Sequence, residues 1–507
     1  MKKILLFIVI LASAFTAISC KQAPRPGEVH GEVSYRDRGV SDVIITLTSE
    51  NDTFSFNTLA NGYYYFRSIP PGDYTVSLQF NNRDIDFSIV NYETSENPHL
   101  ITIVDNGYHV RNIVIPKNED MGWEGGDDDE EEDDHTLPTA ELPILAWYSI
   151  PADQATLETY QDLKDCGFNI SYSQLSTLEE AQQALELGEQ VGVKILFSCS
   201  ELETNTAEII NQVKDSPALY GYFLSHEPSI SDLTDLGEWA DRIRIADDEH
   251  AIYLNLAPDY ADEEIIGSKG YEEYVKEAIS EVKPTQISFD FFPIQESGIS
   301  SSWWQNLEII KKCGAEAELP FWAFALSSAF DSYPSPEMSY LRLQMYTNLA
   351  YGAQCLQYYT YWCPSSNYEA PVASDGTHNE AWDLIKAMNE ELQARAGVFV
   401  GASLLGVYQT GKEDEQPAGT SPLKTGTISN LLKLNAGDNG AVISHFENGN
   451  WEYMMMVNRS HDAGFDYSII FDHDVQFINR DGSIEDIGTS SEAHLEAGDC
   501  AIFRWSN

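Results

Sequence analysis

Between residues 142 and 400 the chain switches eight times from a short β-like run to an amphipathic helical one. This alternation constrains the fold more than any other feature. The β-like runs are LPILAWYSI, FNISYSQL, VKILFSCS, LYGYFLSHEP, AIYLNLAP, TQISFDFFPI, LPFWAFALSS and CLQYYTYWCP. Stretches such as TLEEAQQALELGEQVG and LTDLGEWADRIRIAD carry apolar residues at helical spacing between them, and NEAWDLIKAMNEELQARAG closes the series. Eight βα units in about 260 residues are what a closed (β/α)8 TIM barrel requires. An open doubly wound sheet is the alternative, but no Gly-rich phosphate loop follows the first run.

The flanks are different. Residues 27–116 read as β throughout, with turn residues at Asn61-Gly62 and Pro71-Gly72, and predict an N-terminal β-sandwich. Residues 401–507 return to short apolar and aromatic runs, GVYQTG, WEYMMMVNRS and CAIFRW among them, and predict a C-terminal all-β sandwich. Residues 117–141 hold the acidic run at 127–134, whose charges repel one another and cannot pack a core, so a solvated linker is expected there. These acids lack the Gly-turned spacing of a calcium loop.

At the N-terminus Lys2 and Lys3 precede an apolar run too short to span a bilayer, which predicts a signal peptide over residues 1–20 and a tether over 21–26. The 29 basic against 81 acidic residues leave a net charge of −52, which argues against nucleic acid as a partner, because phosphate would be repelled. Six cysteines follow Cys20 without a CxxC pair or zinc spacing. Most read as buried thiols, with Cys355 and Cys363 the most plausible disulfide pair. No HExxH, GxSxG or P-loop occurs, and no cofactor or metal is implied.

In a barrel of this kind chemistry gathers at the carboxyl ends of the strands. Glu227 ends the fourth run inside an otherwise apolar and aromatic stretch, where burial would keep it protonated as a general acid. Asp290, flanked by Phe289, Phe291 and Phe292, is the candidate second carboxylate, because an acid in such a run is costly without a purpose. Two carboxyl groups are the minimum for cleaving a glycosidic bond. His226, Asn255, Trp147, Tyr148, Trp322, Tyr361 and Trp362 form the candidate substrate shell, with Tyr359 among the mouth aromatics. Trp303 and Trp304 are expected to pack on the exterior, and Asp375 and His378 to lie in the loop after the last strand. For each, the plainer possibility is packing: a capping acid, a core aromatic, a structural histidine.

Several segments resemble known families. Ala17-Ile18-Ser19-Cys20 resembles a bacterial lipobox, with Ala17 in place of the usual Leu, and implies a lipid anchor on Cys20 and a place in the cell envelope, at the outer membrane. The stretch GVSDVIITLTSENDTFSFNTLANGYYYFRSIPPGDYTVSLQF is similar to the carboxypeptidase-regulatory, transthyretin-like family, whose modules are spacers or binding appendages. From 142 to the end the chain resembles clan A glycoside hydrolases and barrel lipoproteins of Bacteroidota. Glu227-Pro228 matches the acid/base motif of that clan, but His226 stands where its Asn belongs. The clan's strand 7 nucleophile has no counterpart in FWAFALSS, and Glu316 and Glu318 precede that strand. Trp362 matches its strand 8 tryptophan. The resemblance implies a membrane-anchored glycosidase acting on a glycan. A glycan-binding protein that has lost one carboxylate, or an adhesion protein, are the alternatives.

Overall fold

The computed structural model describes residues 26–116 and 135–506, apart from segments at 36–37, 60–61, 82, 91–98, 105–107, 268, 413–415 and 438–439. The expected signal peptide with Cys20, nearly all of the tether, the acidic run and Asn61 lie outside the described residues. No helix among the described residues is long and apolar enough to cross a membrane. The chain divides into two compact units, 1–127 and 128–507.

The first unit holds two sheets. In one, Gly27–Tyr35 pairs antiparallel with Tyr63–Ile69 and parallel with Asn112–Ile115. In the other, Ile44–Thr48 lies between Thr53–Asn57 and Gly72–Phe80. Alternate residues of Gly72–Phe80 are buried, the two-residue period of a strand with one covered face. Val29, Val33, Tyr64 and Phe66 of the first sheet share a core with Ile45, Leu47, Val76 and Leu78 of the second. The Pro70-Pro71 connection therefore carries the chain from one sheet to the other, where the Pro71-Gly72 pattern suggested a tight turn between paired strands.

In the second unit eight parallel strands close into a barrel. In order they are Ile144–Trp147, Ile170–Ser171, Lys194–Phe197, Leu219–His226, Ala251–Leu256, Ile287–Phe289, Phe321–Leu326 and Cys355–Tyr359, called strands 1 to 8 below. Closure excludes the open sheet. Helices cover the outside, so strands 1, 2, 6 and 7 are buried at every position, as strands covered on both faces must be. Local chemistry starts the helices. Thr156 and Thr177 each accept from the backbone three residues on in capping boxes, before helices Leu157–Asp165 and Leu178–Val191. The lumen is filled by Leu145, Trp147, Tyr172, Leu196, Tyr253, Trp322 and Phe324, among others.

The described residues of 403–506 form a seven-stranded antiparallel sheet, the sandwich-like β domain expected at this end. Met454 and Met456 pack into its own outer core, while Met455 joins the core shared with the barrel, so both faces of that strand are dry. Arg395, 1% exposed, ties the last barrel helix to this sheet by donating to the carbonyls of Ile478 and Asn479. All six described cysteines are free, and the suggested Cys355–Cys363 bridge is absent.

Candidate active site

Two residues at the carboxyl-end mouth of the barrel take up a left-handed backbone that side chains other than glycine rarely adopt. Tyr148, just past strand 1, has φ 44°, and Glu227, just past strand 4, has φ 48°. Such conformations cost of order 1–3 kcal/mol each and persist where surrounding structure holds them. The Glu227 N–H donates to the Asn255 carbonyl at 2.8 Å, which pins the turn to strand 5. The left-handed turn sets the half-buried Glu227 carboxyl facing Asp290, within hydrogen-bonding reach of its carboxyl.

Asp290 follows strand 6 and is 7% exposed. Its Oδ1 accepts from Asn255 Nδ2 at 2.7 Å, and it has no cationic partner among the described residues. Burial, and next the facing Glu227, push its carboxyl well above the usual carboxylate range, against the opposing effect of the Asn255 hydrogen bond. The sequence suggested Glu227 as the buried, protonated acid and Asp290 as its anionic partner. The structure reverses the burial: the deeper group is Asp290, and a proton shared by the pair belongs there.

Behind the pair lies a fully buried polar chain. Asn255 Nδ2 is also 3.1 Å from His226 Nδ1, and Asn255 Oδ1 accepts from Ser288 Oγ at 2.7 Å. Ser288 Oγ lies 2.7 Å from the Tyr253 hydroxyl and accepts from Gln357 Nε2 at 2.9 Å. Asn255, Ser288, Tyr253 and Gln357 are each 0% exposed. Asn255 is therefore not the substrate contact expected of it, because neighbouring side chains occupy its amide. His226 is exposed at the mouth, with its ring 5.3 Å from that of Trp147; partial desolvation beside its neighbours lowers its pKa, although Glu227 acts to raise it.

The expected aromatic shell is only partly there. Tyr148 is half-buried and meets Tyr359 edge to face at 5.8 Å. Trp147 is 1% exposed and packs in the lumen on Tyr172, its indole N–H without a partner among the described residues. Trp322, the second residue of strand 7, is 3% exposed and sits lower in the lumen against Tyr220 and Tyr253. Tyr361 lies on the outer side of the barrel, where its hydroxyl donates to Asp162 at 2.9 Å and its ring meets Phe168. Trp362 is 5% exposed beneath Gly376. None of these four offers a free face to a sugar. Trp303 and Trp304 are buried, as expected. His378 pairs with Asp162 at 2.8 Å and stacks on Trp382, which fastens the loop after strand 8 to the barrel exterior. Glu316 is paired with Lys276.

The aromatic wall is built instead from loops. Phe330 and Tyr333 follow strand 7, and Tyr368 follows strand 8; backbone hydrogen bonds between Ala329 and Glu369 tie the two loops together. Phe330 stacks on Tyr368 at 4.6 Å, and Phe292 bridges Tyr333 and Tyr359 at 5.8 and 5.0 Å. Tyr260, in the loop after strand 5, comes within hydrogen-bonding reach of Tyr333; burial of its hydroxyl, and next the neighbouring Tyr333, raise its pKa, with Asp290 and Glu227 close by. Half-buried aromatics from strands 7, 8 and 1 thus line the mouth together with the acid pair of strands 4 and 6. No group of three or more metal-binding side chains occurs among the described residues.

The sequence matches no protein-family model, and no curated protein sequence matches it. Among solved structures, the chain is similar to a family 39 glycoside hydrolase from Bacteroides cellulosilyticus, at 12% identity and a TM-score of 0.45 over 93% of this chain and 98% of that one. It is similar to a GH27 β-L-arabinopyranosidase from Geobacillus stearothermophilus at 10% identity and a TM-score of 0.42, over 73% and 97%. It is also similar to a 3-deoxy-D-arabino-heptulosonate 7-phosphate synthase from Thermotoga maritima at 11% and 0.32, over 51% and 88%. Likenesses this distant span unrelated chemistries, so function has to be argued from the site.

Proposed function

We propose that this chain is a glycoside hydrolase that uses Asp290 as the proton donor and Glu227 as the carboxylate. The observation that carries the proposal is the pair of facing carboxyls at the barrel mouth beside an aromatic wall. Asp290 gives its proton to the glycosidic oxygen as the bond from that oxygen to the anomeric carbon breaks. The electron pair that replaces it at the anomeric carbon comes either from Glu227 directly or from the oxygen of an attacking water whose proton Glu227 takes. Sugar rings present C–H faces that suit Tyr148, Phe330, Tyr333 and Tyr368, and the exposed His226 suits a hydroxyl.

The carboxyls as they stand lie within reach of a shared hydrogen bond, closer than the spacing of about 5 Å that glycosidases use for retention or about 6.5–9.5 Å for inversion. Catalysis then requires Glu227, the less buried partner, to swing away as the glycan enters, while Asn255 anchors Asp290. The same contact favours a second proposal, a glycan-binding protein without turnover. Retained with either is the proposal of a lipoprotein anchored through Cys20 in the cell envelope, with a transthyretin-like sandwich at 27–116 and the acidic segment acting as spacers.

Sugar release from a panel of plant, host and microbial glycans tests the proposal, with wild type beside Glu227→Gln. Turnover in wild type, reduced about 10²-fold or more in the variant with binding retained, supports hydrolysis. Binding without turnover in both supports capture alone. Absence of binding to every glycan contradicts both.

A further inference from the structure

The buried chain behind the acids has a direction, and the direction is set by the acid pair. Two proton arrangements are open to Asn255. In the first, its Oδ1 faces Ser288 and accepts, and its Nδ2 donates to Asp290 Oδ1 and His226 Nδ1. In the second the amide is reversed, so Asp290 Oδ1 and His226 Nδ1 must both carry protons to give to it. The second arrangement uses the proton of Asp290 on Asn255 and leaves two bare oxygens facing each other where Asp290 meets Glu227. Like charges in contact cannot both ionise, so the single proton of the pair is needed between them. Asp290 Oδ1 must then accept, and the first arrangement follows. Deeper in the lumen Gln357 Nε2 donates to Ser288 Oγ and Tyr253 donates to Gln357 Oε1, so the one Ser288 proton lies between two acceptors, Asn255 Oδ1 and the Tyr253 oxygen, each 2.7 Å away.

We propose that Asn255 is a positioning residue whose amide keeps the proton of the carboxyl pair on the Asp290 oxygen that faces Glu227 and holds His226 as the tautomer that presents Nε2–H to the ligand. His226 then offers a permanent donor to a sugar hydroxyl or ring oxygen. A neutral Nε2–H on this exposed residue fits an acceptor oxygen on the ligand and disfavours a cationic group there. Replacing the chain's polar atoms would be felt at the mouth although none of them touches the ligand. This inference deepens the proposed function and rests on the same site.

Long-range proton–nitrogen correlation spectra of the full chain with labelled histidine test it, with the His226 signal assigned by its loss in His226→Gln. Wild type at mildly alkaline pH should show the proton on Nε2 and a bare Nδ1. Asn255→Asp removes both donors and places an acceptor against Nδ1, so a proton should appear on Nδ1. Ser288→Ala releases the amide and should give a mixture of tautomers, whereas Ser288→Thr keeps the hydroxyl and the wild-type signal. A wild-type spectrum with the proton on Nδ1, or an unchanged tautomer in both Asn255→Asp and Ser288→Ala, would overturn the proposal. The readout requires no turnover, so a chain that hydrolyses nothing counts against the proposed function and leaves this inference standing.

Discussion

Asp290 holds a carboxyl where burial and the facing Glu227 both oppose ionisation, so replacing it with asparagine should stabilise the barrel at neutral pH while abolishing proton donation. Asparagine has the same shape. Its Oδ1 can keep the hydrogen bond from Asn255 Nδ2, 2.7 Å in the wild type, and its amide can donate to Glu227 in place of the shared proton. The sign of the pH dependence follows from which state binds the proton more tightly. A carboxyl whose pKa is raised by folding contributes stability that is fully present below the unfolded value, near 4, and is lost as pH rises through the folded value. Asparagine does not titrate. The advantage of Asp290→Asn over wild type should therefore widen by about 1.4 kcal/mol per pH unit while the pair keeps its extra proton. The comparison runs from about pH 5 to about pH 7. Urea unfolding followed by tryptophan fluorescence across this range measures it. A difference that stays flat with pH, or a variant less stable than wild type near pH 7, would refute the electrostatic account of the pair.

Asp247 should behave in the opposite sense. It lies at the amino end of strand 5, where burial opposes its charge but hydrogen bonds from His250 and Tyr222 outweigh that and hold it down at about 2. Asp247→Asn should cost about 2 kcal/mol at neutral pH, a cost that fades as pH falls from about 4 through 2; acid titration of unfolding would contradict it by showing a constant cost. Phe330→Ala and Tyr333→Ala should each weaken glycan binding about tenfold with little change in fold, as read by calorimetry and circular dichroism; unchanged affinity in both would remove the aromatic wall from the site. Native thiol labelling should modify Cys199 and Cys363, which are half-buried, before Cys166, Cys313, Cys355 and Cys500. Burial pushes Cys313 up to about 11 and Cys500 up to about 12, so these two should react only on unfolding, and a count short of all six described thiols in denaturant would reveal a disulfide.

What the sequence makes legible is what has a period. The eight β runs and the helices between them emerge as a closed barrel because alternation and amphipathicity are local properties of the chain. Glu227 and Asp290 are visible for a related reason: each is a charge at the end of an apolar strand, which is rare without a cause. Less visible is which of two acids lies deeper, since that depends on Asn255 reaching across from the neighbouring strand. Tyr361 and Trp362 look like mouth residues because they follow strand 8, yet the mouth is lined by Tyr359, while the Tyr361 ring lies among the outer helices. Phe330, Tyr333 and Tyr368 sit in loops, where aromatics follow no repeat, and the cross-loop pairing of Ala329 with Glu369 that aligns them is a tertiary fact. The SYP and NYE sequences around Tyr333 and Tyr368 were the only local hint: tyrosines in otherwise polar loops.

The most direct test is a crystal structure of Glu227→Gln with an oligosaccharide bound. The account predicts a sugar ring against Phe330, Tyr333 and Tyr368, a glycosidic oxygen within hydrogen-bonding distance of Asp290, and residue 227 swung away from it. A saccharide bound elsewhere on the chain, with residue 227 and Asp290 still in contact and the mouth empty, would contradict it.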